Sequence, residues 1–114
     1  MELISTYPGL VELHCTLLAE ATTPDHPAHS FFVERYDRTR QSLVAAFEAA
    51  ERDGRLLDGV NPHHAAASTL ALLDGLQLQW LLNPREIDMP STLAAHFARI
   101  VDLTDRRAAT NELA

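Results

Sequence analysis

The stretch Ala71-Leu72-Leu73-Asp74-Gly75-Leu76-Gln77-Leu78-Gln79-Trp80-Leu81-Leu82-Asn83-Pro84 decides how this chain must fold. At about 100° per residue, it predicts a helix with apolar residues on almost every side. Leu70, Leu73, Trp80 and Leu81 share one face. Ala71, Gly75, Leu78 and Leu82 share a second, and Leu72 and Leu76 a third. A helix on the outside of a monomer needs a single apolar stripe, so this one must be covered from more than one side. In a chain of 114 residues, the further cover is expected to be a second copy of the protein.

Working outward, proline marks the start of each helix, where a missing N–H costs nothing. Pro8 opens a first helix to Ala21, Pro27 a second to Asp53, Pro62 a third to Leu82, and Pro90 a fourth, spanning Met89 to Thr104. Asn61 is placed to cap the third and Asp88 the fourth, while Gly54 ends the second. The first helix is expected to bury Leu10, Leu13, His14, Leu17 and Ala21. The second shows Phe32, Tyr36, Thr39, Leu43, Ala46, Phe47 and Ala50 at steps of three and four, the spacing of one helical face. No alternating strand pattern and no repeat is present. The expectation is an all-α, antiparallel domain of four helices over residues 1–104, with a polar, frayed tail at 105–114. Leu3, Ile4 and Tyr7 have helical spacing, but the segment holding them is too short to form a stable helix alone.

Composition narrows the function. An apolar fraction of 46% argues against disorder, and no apolar run reaches the roughly 20 residues of a membrane span. Net charge is −7, without a concentrated basic face, which makes these residues a poor grip for nucleic acid. The one cysteine, Cys15, cannot form an internal disulfide and reads as a small hydrophobe, because no cation flanks it. A soluble, cytoplasmic chain is expected.

Catalytic signatures are missing: there is no nucleophile elbow and no glycine-rich phosphate loop. Six histidines invite a metal, yet His26 sits beside a proline in a turn and His63 and His64 diverge on their helix. Neither a metal site, a cofactor nor an enzymatic activity is expected. His14 lies on an apolar stripe, as a satisfied core residue or as a polar contact for a ligand. Asp74 and Gln77 stand one turn apart in the apolar third helix. Burying a carboxylate alone is costly, so Asp74 requires a partner: either a hydrogen bond between helices or a polar anchor in an apolar pocket. Gly75 within the same helix suggests close approach of another backbone.

Several segments in succession resemble one family. Pro8-Gly9-Leu10-Val11-Glu12-Leu13 with Ala19-Glu20-Ala21, Asp25-His26-Pro27-Ala28-His29 with Phe32 and Arg35-Tyr36, and Leu72-Leu73-Asp74-Gly75-Leu76 with Gln79-Trp80-Leu81-Leu82-Asn83-Pro84 are similar to consecutive helices of the carboxy-terminal domain of tetracycline-repressor (TetR) family regulators. The resemblance runs from about Pro8 to Val101. It implies a domain that senses a small, mostly apolar effector and forms a homodimer through its last two helices. His14, Leu17, Phe32, Tyr36, Leu73, Asp74 and Gln77 are the candidate ligand-binding residues. Ala71, Gly75, Leu78, Leu82, Phe97, Ile100 and Val101 are the candidates for the dimer interface. The family's helix-turn-helix unit has no counterpart in these residues, so DNA would be reached only through an N-terminal domain, and the chain is expected to be part of a longer repressor. A helical adaptor without an effector is the alternative, and a histidine-dependent metallohydrolase a more distant one.

Overall fold

A computed structural model describes residues 8–104. The residues before Pro8, the polar tail and the boundary drawn between domain and tail at 104/105 lie outside the described residues. Four helices follow in order: α1, Pro8–Glu20; α2, His29–Arg52; α3, Pro62–Leu82; and α4, Met89–Ala98. The fold is all-α, as the sequence requires. α3 is the hub, with α1, α2 and α4 each packed against it. Its apolar residues on several sides are answered first by three helices of its own chain.

Local chemistry sets the helix ends. The Asn61 side chain accepts hydrogen bonds from the backbone N–H groups of His63 and His64, at 2.8 and 3.1 Å, satisfying two donors that the first turn of α3 leaves unpaired. The Asp88 carboxylate does the same for Ser91, through its N–H and its hydroxyl. Both hydrogen bonds hold the Asp88 carboxyl below the usual carboxylate range. α2 stops where Gly54 turns left-handed (φ 70°), which lets Gly54 N–H reach Glu51 O and Arg55 N–H reach Ala50 O.

Three expectations are corrected. α2 begins at His29 rather than Pro27, because the chain from Thr23 to His29 closes a series of backbone turns first. α4 ends at Ala98, not Thr104. After it, Ile100 O accepts from Leu57 N–H and Asp102 N–H donates to Arg55 O, so that Val101 and Leu56 form an antiparallel bridge. The Arg55 guanidinium fastens this crossing by donating to the carbonyls of Asp102 and Thr104. Finally, the expected inner face of α1 holds only in part. Ala21, just after the helix, is buried as expected and His14 and Leu17 are half-buried, but Leu10 and Leu13 are 58% and 62% exposed and Val11 is buried instead.

The core occupies one end of the molecule. Phe47 of α2, Ala65 and Ala66 of α3, and Ile100 are buried together, with Leu43, Val44, Leu56, Val60, Phe97 and Val101 packed around them. Alanines at 65 and 66 let α2 and α3 approach closely there. Thr69, 1% exposed, donates its hydroxyl proton to Ala65 O at 2.7 Å. With that proton spent, its contact with His96 at 3.0 Å requires imidazole Nε2–H to donate to the hydroxyl oxygen. One buried hydroxyl thus ties α4 to α3. At the opposite end, α1 leans on α3 and the packing is looser.

Candidate ligand-binding site

Two clefts open at that looser end, between α1, the first half of α2 and the middle of α3, and they share a wall. The larger, about 450 Å³, is bounded by Leu18 of α1 and by Ala21 and Thr22 just after it, by His29, Phe32, Val33 and Tyr36 of α2, and by Asp74 of α3. The smaller, about 170 Å³, is bounded by His14, by Arg35, Tyr36 and Thr39, and by Leu70, Leu73, Asp74 and Gln77. Tyr36 and Asp74 line both. A further hollow, lined by Phe31, Arg35, Arg38, Thr39 and Ser42, has walls from α2 alone and is a surface groove.

The shared wall is a hydrogen bond. The Tyr36 hydroxyl donates to Asp74 Oδ2 at 2.7 Å, joining α2 to α3 across 38 positions of sequence. Burial raises the phenol above the ordinary tyrosine range, and the hydrogen bond and charge of Asp74 raise it further, while the positive charge of Arg35 pulls it back. The phenol is therefore a neutral, permanent donor at physiological pH. Cys15 lies within reach of the same field: burial first, then Asp74, push its thiol upward and make it a poor nucleophile. Phe32, in the wall of the larger cleft, is held in T-shaped contacts by His14 at 5.8 Å and by Phe31 at 5.3 Å.

Five of the seven residues singled out for ligand contact, His14, Tyr36, Leu73, Asp74 and Gln77, line the smaller cleft. Phe32, 6% exposed, lines the larger one. Leu17 lines neither. Leu18 was missed because it lies beside the α1 face that spacing picked out, Ala21 because it was taken for core alone, and His29 and Val33 because a cleft wall on α2 need not lie on its buried stripe. Arg35 was missed for a different reason: it is an exposed cation beside a buried aromatic, and its position on a cleft rim depends on how α3 packs.

Three further histidines have structural partners. His29 Nδ1 meets Ala21 O at 2.8 Å, His26 Nδ1 accepts from Ala28 N–H, and His63 faces Glu48 of α2 at 3.8 Å. Among the described residues, no three His, Cys, Asp or Glu side chains converge as a metal site. None of the described helices is long and apolar enough to cross a membrane.

The second face of α3 is left uncovered by the described residues. Ala71 and Leu78 are exposed, Leu78 by 51%, and Leu82 by 86%. Apart from the helix's own backbone, no described atom comes within 4 Å of where a Cβ on Gly75 would lie, so no packing among the described residues requires the glycine. The other three interface candidates stand differently. Ile100 retains 6% of its surface and belongs to the core. Phe97 packs towards Phe47, with ring centres 6.4 Å apart, and Val101 is held in the bridge with Leu56. Exposed on α4 instead are Ala94, Ala95 and Ala98, after Pro90, Ser91 and Thr92 of its first turn.

Neither a curated protein nor a solved structure matches the chain. A family model does, over residues 8–110, which takes in all four helices, both clefts and the uncovered face of α3. The chain therefore belongs to the family of BetI-type transcriptional repressor C-terminal domains, within the TetR regulators.

Proposed function

We propose that this is the effector-sensing and dimerisation domain of a TetR-like transcriptional repressor, working in the cytoplasm. Family membership carries the reading, and two features are consistent with it. One is a cleft of about 450 Å³ beside a half-buried phenol–carboxylate pair, a size and chemistry suited to a small, mostly apolar molecule. The other is the stripe Ala71, Gly75, Leu78 and Leu82, an apolar surface that a second copy would cover about a two-fold axis. With net charge −7, these residues do not grip DNA, which falls to a separate N-terminal head in such a repressor.

The mechanism is a population shift. An effector bound between α1, α2 and α3 must favour one spacing of the paired domains over another, and it can shift the equilibrium only by its difference in affinity for the two. The Tyr36–Asp74 contact is where such a ligand would act on α2 and α3 together. Sedimentation of the chain at micromolar concentration, combined with a thermal-shift screen of small amphiphiles, tests the reading. A homodimer stabilised by at least one compound is expected. A well-folded monomer that no compound stabilises would overturn it, and a dimer that no compound stabilises would favour the adaptor.

A further inference from the structure

We infer that the two clefts form one bipartite site for an amphipathic carboxylic acid, whose apolar body lies against Leu18, Phe32 and Val33 and whose carboxylate is held by Arg35 and Gln77. The inference rests on the effector-sensing reading above and names the class of ligand.

Three observations divide the site this way. The first is size. A volume of about 170 Å³ is small for a whole ligand but ample for a head group, and the adjoining 450 Å³ lies within the usual range for a ligand body. The second is which polar groups are already engaged. In the larger cleft, Thr22 donates its proton to Ala19 O at 2.8 Å, and His29 Nδ1 is occupied by Ala21 O. That compartment offers a ligand mainly the sides of Leu18, Phe32 and Val33.

The third is the donor surplus in the smaller cleft. The Thr39 hydroxyl donates to Arg35 O at 2.9 Å, and one Asp74 oxygen already accepts from the Tyr36 hydroxyl. Arg35 has no carboxylate partner among the described residues, although Glu20, Asp37 and Glu48 all have a cationic or imidazole neighbour. The groups left for a ligand are thus the guanidinium of Arg35, the amide of Gln77 and the imidazole of His14, set against the second oxygen of Asp74. A guanidinium fork matches a carboxylate with two parallel hydrogen bonds. Arg38, one turn further along α2, lines the neighbouring groove with Arg35 and adds positive potential in a chain that is otherwise acidic. The influence of Arg35 on the Tyr36 phenol places its charge near the shared wall.

The test uses decanoate, decanamide and decylamine, which share one apolar body and differ in head charge. Binding is measured calorimetrically on the unmodified chain and on Arg35→Gln. Because Arg35 is exposed, this variant is expected to keep the parent circular dichroism and association state. Decanoate should bind about tenfold or more tightly than decanamide, and Arg35→Gln should abolish that preference while leaving decanamide unchanged. Equal binding of acid and amide, tighter binding of the amine through Asp74, an unaltered preference in Arg35→Gln, or no binding of any of the three would each overturn the inference. If the amide or amine binds, the effector reading survives and only the carboxylate is lost. The effector reading itself fails only if the wider screen also finds no ligand.

Discussion

Replacing Leu78 with Glu separates the fold of one chain from its pairing with another. Leu78 is 51% exposed on the uncovered face of α3, with Leu82, 86% exposed, one turn beyond it. Fully burying a leucine contributes about 1.5–3 kcal/mol, so covering the exposed half of Leu78 contributes about 1 kcal/mol per copy and about 2 per dimer. Glutamate forfeits this and places two like charges near the symmetry axis, where desolvation adds a penalty of several kcal/mol. A loss of at least about 4 kcal/mol, or roughly a thousandfold in dissociation constant, follows. The monomer should suffer far less, because half of Leu78 already faces solvent and Leu and Glu have similar helix propensities; about 1 kcal/mol is expected. Sedimentation equilibrium from one to a hundred micromolar, with urea denaturation of the dissociated form, reads both quantities. A Leu78→Glu chain that dimerises as tightly as the parent would refute the placement of the interface. One that unfolds outright would show that Leu78 belongs to the core.

Ile100→Ala tests the opposite assignment. Ile100 sits with Phe47, Ala65 and Ala66, so the change should cost about 2–5 kcal/mol in urea denaturation without weakening dimerisation. Tyr36→Phe removes the donor to Asp74 and should cost about 1–2 kcal/mol at neutral pH. Because the folded-state phenol titrates above its unfolded value, its contribution is complete below about pH 10 and fades as pH rises further, so parent and variant should converge in stability above that point. Stability curves that remain parallel up to pH 11 would count against the contact. Thr69→Val preserves shape but strands the His96 Nε2–H, and should cost about 1–3 kcal/mol and shift the His96 imidazole resonances; an unchanged spectrum would deny the α3–α4 link.

Much of the fold was legible without coordinates because its signals are local. A cap depends on a side chain and a backbone N–H two or three residues away, so Asn61 and Asp88 announce α3 and α4 by type and position alone. The apolar sides of α3 follow from spacing, and so does the requirement that more than one element cover it. The cleft-lining residues Tyr36, Asp74 and Gln77 were legible because they are polar interruptions in apolar stripes.

Quantities that depend on how one helix lies on another were not legible. Periodicity marks which residues of α1 could face inward, but Leu10 and Leu13 are as apolar as Val11. Only docking against α3 buried Val11 and left Leu10 and Leu13 exposed. Likewise the pattern of Phe97, Ile100 and Val101 is compatible with an interface or a core. The choice was made by the crossing of residues 55–57 with 100–102, a pairing between segments more than forty positions apart that no local signal encodes. That same crossing ends α4 early and leaves its alanines outside. The sequence alone determined the helices, their caps and the need for burial on several sides of α3. Tertiary packing decided which of several apolar surfaces was buried among the described residues and which was left exposed, because burial energy scales with area and is indifferent to which atoms provide the cover.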